Sequence, residues 1–111
     1  EHLSLVARRW IETDEHRILI SAASAWEIAT KVRIGKLPGA QAVAANFHAC
    51  VINQGFTPLD ITVDHALRAG SLPGPHRDPF DRMLIAQAQA LNIPLISNEH
   101  LFDHYGIQRI W

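Results

Sequence analysis

The spacing of apolar and polar positions predicts short buried strands separated by amphipathic helices. Runs of apolar and β-branched residues, too short to be helices, predict strands at 17–20, 56–61, 93–97 and 107–111. Apolar residues at helical spacing predict helices at 4–11, 22–34, 40–53, 62–70 and 83–91, and a short one at 99–104. Short strands that alternate with helices favour a parallel sheet with helices on both faces, which is an α/β sandwich.

Length and composition narrow the class of protein. The chain has 111 residues, of which 48% are hydrophobic and 19% charged, so we expect one folded domain rather than disorder. Ten Lys and Arg against eleven Asp and Glu give a net charge of -1, which excludes a strongly basic protein that coats nucleic acid but not a locally basic groove. Cys50 is the only cysteine, which fits a reducing cytoplasm. No apolar run is long enough to cross a membrane, and no signal peptide is visible.

Three acidic positions stand at the predicted starts of helices. Glu27 comes three residues after Ser24, Asp81 comes three residues after Asp78, and Glu99 follows directly on a predicted strand. In a strand–helix–strand unit the helix begins where the strand ends, so we expect these acids at the carboxyl edge of one sheet. Carboxylates that converge there repel one another unless a cation binds, and oxygen ligands suit Mg²⁺ or Mn²⁺ rather than zinc. Such a site can hydrolyse a phosphodiester.

Helix capping explains the same acids without any catalysis. Ser24 and Glu27 match the capping-box pattern, and Asp78, Pro79 and Asp81 match a helix-start signal. An acid in the first turn gains about 0.3–1 kcal/mol from the helix dipole alone. At this point the residues leave both interpretations open.

Four segments, in this order, resemble the PIN domain and, more narrowly, the VapC toxins of VapBC toxin–antitoxin systems. The segments are ISAASAWEI at 20–28, KVRIGKL at 31–37, RDPFDRMLIA at 77–86 and LISNE at 95–99. The resemblance implies a three-layer α/β/α sandwich with a central parallel sheet and a Mg²⁺- or Mn²⁺-dependent endoribonuclease toxin that cuts RNA. It also implies inhibition by a cognate VapB-type antitoxin and a homodimer or a hetero-oligomer with that antitoxin.

The resemblance assigns the acidic residues of the family to positions in this chain. The second acid corresponds to Glu27 and the third to Asp81, with Asp78 as an accessory acid. The fourth corresponds to Glu99, where the family usually has Asp; the extra methylene shifts the carboxylate outward, so Glu99 can act through a water molecule. Ser97 and Asn98 would orient waters or carboxylates.

The family's first strand and first acid have no counterpart here. Glu1 lies at the wrong place, and no predicted strand precedes it. We therefore expect residues 1–111 to be a single, N-terminally incomplete PIN domain. The missing strand would lie between the strands at 17–21 and 95–97, supplied by an upstream segment or by another chain. Without it, two buried strand edges would be unpaired.

Other residues have a functional and a structural interpretation. Arg77 and Arg82 flank the acidic turn and would bind RNA phosphates, or they are ordinary surface charges. His76 in the loop before the acids would contact RNA or a leaving group, but a loop histidine without a functional role is the preferred interpretation.

The first helix offers a surface for a partner. Leu3, Leu5, Val6 and Trp10 would contact the antitoxin if they are exposed, and would be plain core if they are buried. The alternative function for the whole chain is a catalytically inactive PIN-like fragment that serves as a protein-interaction module.

Overall fold

The computed structural model of the chain describes residues 3–13 and 16–111, which divide into two compact units. One unit consists of Arg17–Ile61, and the other of the described part of 1–16 together with Thr62–Trp111. Each unit contains helices and one pair of parallel strands. The predicted α/β class with parallel strands is therefore confirmed.

The smaller unit starts with a strand that runs directly into a helix. Ser21 ends the strand, and its Oγ accepts a hydrogen bond from the Ala23 N–H at 3.0 Å, which caps the helix. The elements are β1 (Leu19–Ser21), α2 (Ala22–Arg33), α3 (Gln41–Ala45), α4 (Phe47–Asn53) and β2 (Thr57–Leu59). β1 and β2 pair in parallel, with Leu19 opposite Thr57.

The single helix predicted over 40–53 is wrong, because the structure divides it at Asn46. That residue has φ -127° and ψ 34°, outside the helical region, and separates α3 from α4. Its side-chain Nδ2 donates to the carbonyl of Ala42 at 3.1 Å. Asparagine competes in this way for backbone groups that a continuous helix would use.

The larger unit contains two long helices with well-formed starts. The Thr62 Oγ1 accepts from the His65 N–H at 3.1 Å, and His65 Nδ1 accepts from the Thr62 N–H at 3.2 Å, which forms a reciprocal cap. The elements are α1 (Leu5–Glu12), α5 (Val63–Ser71), α6 (Pro79–Leu91), β3 (Leu95–Ile96), a 3₁₀ helix (His100–Tyr105) and β4 (Arg109–Ile110). β3 and β4 pair in parallel.

The core of the larger unit joins α6 to the 3₁₀ helix. Ile85 from α6 and Phe102 from the 3₁₀ helix are completely buried, and Tyr105 packs with them. Half-buried apolar side chains close the cluster from the loop before α6, from β3 and from the segment before β4: Leu72, Leu95 and Ile107. This core fixes the start of α6 relative to the end of β3, where the predicted acids of this unit lie.

Each strand pair has only two members in the described ranges. There β1 pairs with β2 alone and β3 with β4 alone, so one edge of β1 and one edge of β3 have no ladder partner. The strand expected between them stays a prediction. Across residues 3–13 and 16–111, every helix is too short or too polar to span a bilayer.

Candidate active site

Arg82 holds the loop that leads into α6. Its guanidinium donates to the carbonyl of His76 at 3.0 Å, to that of Ala69 at 3.1 Å and to that of Leu72. The carbonyls of Ala69 and Leu72 lie at the C-terminal end of α5. Carbonyls at the end of a helix have no N–H partner within the helix, so Arg82 supplies one. Arg82, predicted as an RNA contact, thus has a structural function as well; its contact with RNA stays a prediction.

Tyr105 holds the same loop from the side of the core. Its hydroxyl accepts a hydrogen bond from the buried His76 N–H at 2.9 Å. Gly74 has φ +112°, and a Cβ built there would lie 2.7 Å from the tyrosine ring, so only glycine permits this approach. The loop is therefore packed directly on the core.

His76 is a buried residue rather than a surface loop histidine. Its side chain is only 8% exposed, and its ring centroid lies 5.6 Å from that of Phe102. Ring Nε2 lies 3.0 Å from Oδ2 of Asp81. The sequence gives no local signal for this contact, because the burial comes from residues far along the chain.

Asp78 and Asp81 occupy the start of α6 as the helix-start signal predicts. Asp78 is the N-cap, and its Oδ1 accepts from the N–H groups of Phe80 at 2.8 Å and Asp81 at 3.2 Å. Pro79 takes the first helical position, where its missing N–H costs nothing. The Asp81 carboxylate is 23% exposed and faces His76.

The predicted residues after β3 form a second local cap. The Ser97 Oγ accepts from the Glu99 N–H at 3.0 Å, and Glu99 Oε1 accepts from the Leu101 N–H at 3.1 Å at the start of the 3₁₀ helix. Asn98 between them is exposed. Glu99 therefore follows a strand and opens a helix, as the sequence predicts.

Arg109 of β4 contacts the residues of this cap, and the sequence does not predict these contacts. It donates to the carbonyl of Ser97 at 3.1 Å and to both carboxylate oxygens of Asp103, at 2.9 and 3.2 Å. The hydrogen bond from Arg109 lowers the pKa of Asp103, and the same bond raises the pKa of Arg109. His100 Nδ1 also lies 3.0 Å from the guanidinium.

Glu27 lies in the smaller unit, in the second turn of its helix. The prediction that Ser24 caps this helix is wrong, because Ser21 caps it and α2 begins at Ala22. Glu27 Oε2 lies 2.8 Å from Nζ of Lys31, one helical turn further on. Such i,i+4 pairs typically contribute about 0.3–0.5 kcal/mol.

The predicted metal ligands are thus divided between the units. Asp78 and Asp81 share the start of α6, Glu99 lies beyond β3 of the same unit, and Glu27 belongs to the other unit. Within either unit, the described residues form no group of three or more His, Cys, Asp or Glu side chains that could hold a metal ion. Their carboxylate oxygens are the donors that Mg²⁺ and Mn²⁺ prefer. The complete ligand set stays a prediction.

The fold and these residues define an α/β protein with carboxylates where a helix starts and where a parallel strand ends. A family model described as "PIN domain" matches residues 1–108, and the chain belongs to this family. The chain is also similar to Ribonuclease VapC16 of Mycobacterium tuberculosis (strain ATCC 25618 / H37Rv), with 42% identity over 59 residues. That match covers 53% of this chain and 40% of the relative. The predicted PIN family is confirmed, and the similarity to VapC16 supports the narrower resemblance.

Replacing Arg82 should loosen the loop before α6. We expect Arg82→Gln to lower the free energy of unfolding by about 2–3 kcal/mol, because part-buried carbonyls lose charged hydrogen bonds. Arg77→Gln is the control, since Arg77 is an exposed arginine five residues earlier; it should change stability by less than about 0.5 kcal/mol. Urea unfolding measures both. Equal stability of the two variants would show that Arg82 does not hold the loop.

The ion pair of Asp103 and Arg109 should give a pH-dependent contribution to stability. The folded-state pKa of Asp103 lies below its unfolded value, so the contribution is complete above the unfolded pKa and is lost as the pH falls through the folded one. We expect Asp103→Asn to be less stable than the wild type at pH 7, with a gap that shrinks below about pH 4. Thermal unfolding between pH 3 and 7 measures the gap. A gap independent of pH contradicts the assignment.

Proposed function

We propose that this chain is part of a metal-dependent endoribonuclease toxin of the VapC kind. Its PIN family membership and its similarity to Ribonuclease VapC16 support this function. The observation that carries the proposal is the position of Asp81. Its carboxylate lies in the first turn of a helix whose preceding loop is fixed by Arg82 and Tyr105, and its Oδ2 lies 3.0 Å from Nε2 of the buried His76.

Glu27, Asp81 and Glu99 would hold the cation, with Asp78 as an accessory acid. The proposed role of Glu27 as a metal ligand rests on the family resemblance. One carboxylate oxygen makes the local contact in each of three acids, Glu27, Asp78 and Glu99. The helix cap or ion pair can therefore persist while the other oxygen binds a cation. A bound Mg²⁺ or Mn²⁺ would activate a water molecule and stabilise negative charge on the phosphodiester.

Residues around these acids would bind and orient the RNA. Arg77 is exposed beside the acidic turn, where a guanidinium can bind a phosphate through two hydrogen bonds. Arg82, which donates to the carbonyls of the loop before α6, would add a further positive charge that attracts RNA phosphates. The Ser97 hydroxyl accepts a backbone hydrogen bond and can still donate one, and Asn98 beside it is exposed.

A VapB-type antitoxin would inhibit the enzyme, in a homodimer or a hetero-oligomer in the cytoplasm. The first helix supports a partner surface of this kind. Leu5 and Val6 on α1 are 66% and 50% exposed, and Leu3 just before the helix is also exposed. Trp10 is half-buried and stacks on His16, with ring centroids 4.0 Å apart. Exposed apolar side chains are what a partner helix or segment would cover.

A non-catalytic interaction module is the second candidate function. Asp78 and Glu99 cap helices and Glu27 pairs with Lys31, so each of these acids has a structural function without a metal. An upstream strand that completes the sheet remains part of the proposed enzyme. The two candidate functions differ in what a divalent cation does to the protein.

Asp81→Asn should abolish RNA cleavage by the full-length protein. With Mn²⁺ and total RNA, we expect the rate to fall by at least about 100-fold, because even partners behind a ligand cost about 10–100-fold. Asp64→Asn is the matched control, since Asp64 is also an aspartate in the first turn of a helix of the same unit, exposed and paired with Arg68. It should cleave at the wild-type rate. Equal cleavage by both variants would remove Asp81 from the mechanism.

A Mn²⁺ titration of the same proteins separates the enzyme from the interaction module. A bound cation should raise the Tm of the wild type with the logarithm of its concentration above the Kd. Asp64→Asn should respond like the wild type, and Asp81→Asn only at much higher concentrations. A wild-type Tm that does not change with Mn²⁺ favours the interaction module.

A further inference from the structure

We propose that His76 is a positioning residue that orients the Asp81 carboxylate for the cation. The inference rests on the proposed function, in which Asp81 is a metal ligand. In the structure, Nε2 of the buried His76 ring lies 3.0 Å from Oδ2 of Asp81. The mechanism does not otherwise use this histidine.

A hydrogen bond within the loop indicates which ring nitrogen of His76 carries the proton. His76 Nδ1 accepts from the Asp78 N–H at 3.4 Å. A neutral ring that accepts at Nδ1 carries its proton on Nε2. The donor N–H is therefore the one beside the Asp81 carboxylate.

Nε2 nevertheless makes no well-aligned hydrogen bond within the described residues, although it is buried and close to the carboxylate. A buried donor in this state is costly and needs an explanation. We infer that this N–H would donate to the Asp81 carboxylate when that carboxylate holds a cation. Groups behind a ligand fix its orientation in this way in metal sites generally.

The backbone of His76 is fixed on both sides, so the ring can act as a rigid reference. Its N–H donates to the Tyr105 hydroxyl at 2.9 Å, and its carbonyl accepts from Arg82 at 3.0 Å. Phe102 packs against the ring. Because the ring itself is held in place, it can hold the Asp81 carboxylate in one orientation.

Two substitutions of His76 in the full-length protein separate the two ring nitrogens. The Gln amide can place a donor near the position of Nε2, whereas the shorter Asn reaches only the position of Nδ1. We expect His76→Asn to weaken Mn²⁺ binding by about 10–100-fold, the usual effect of losing a group behind a ligand. His76→Gln should stay within about threefold of the wild type. Mn²⁺ affinity is measured by electron paramagnetic resonance, and the Tm in EDTA reports stability separately.

A double-mutant cycle with Asp81→Asn shows whether the effect passes through Asp81. If His76 acts on the metal through that carboxylate, His76→Asn should not weaken Mn²⁺ binding further in the Asp81→Asn background. A purely structural histidine would lower the Tm in EDTA and leave the Mn²⁺ affinity unchanged.

The outcomes distinguish this inference from the proposed function. Wild-type affinity in His76→Asn, together with weak binding by Asp81→Asn, overturns the positioning of Asp81 by His76 and leaves the enzyme intact. Equally weak Mn²⁺ binding by His76→Gln and His76→Asn also overturns the positioning of Asp81 by His76. If His76→Asn does not fold, weak Mn²⁺ binding by His76→Gln overturns it. No Mn²⁺ binding by the wild type overturns both.

Discussion

The loop between α5 and α6 depends on side chains to satisfy its backbone. Two of its residues, Pro73 and Pro75, have no N–H to donate, and neither does Pro79 at the first position of α6, so the segment cannot satisfy its backbone as a helix or strand would. Arg82 donates to three carbonyls from 69 to 76, and the Tyr105 hydroxyl accepts the N–H of His76. These bonds hold the loop, and with it the start of α6 and Asp81, in place against the core. In this molecule the candidate site therefore depends on the hydrogen bonding of one proline-rich loop.

Local signals account for the parts of the fold that the sequence predicts well. Asp78 followed by Pro79 marks the start of α6, because a carboxylate that caps and a proline that needs no N–H both act within one turn. The caps by Ser4 and Thr62 follow the same chemistry. Such signals are readable because cap and helix lie within a few residues of each other.

Competing local signals account for the errors, and long-range contacts account for what the sequence does not predict. Ser21 and Ser24 have the same capping chemistry, and only the end of β1 selects the first. Asn46 divides a segment of helical pattern because its backbone leaves the helical region, and its side chain bonds to the Ala42 carbonyl. His76 owes its burial to Phe102 and Tyr105, which come from a distant part of the chain. No periodicity in the sequence reports that contact.

Each strand pair is an incomplete sheet in the described residues. Two-stranded sheets are only marginally stable alone, and in the described residues every strand of the two pairs, β1 and β3 included, has one edge without a ladder partner. Glu27 follows β1, whereas Glu99 follows β3. The further strand that the family resemblance implies beside β1 and β3 stays a prediction.

Anomalous diffraction from crystals of the full-length protein soaked in Mn²⁺ tests the proposed site most directly. The prediction is a manganese peak within coordination distance of an Asp81 carboxylate oxygen, and its loss in Asp81→Asn but not in Asp64→Asn. A peak remote from Asp81, or one that persists unchanged in Asp81→Asn, would contradict the metal-dependent ribonuclease.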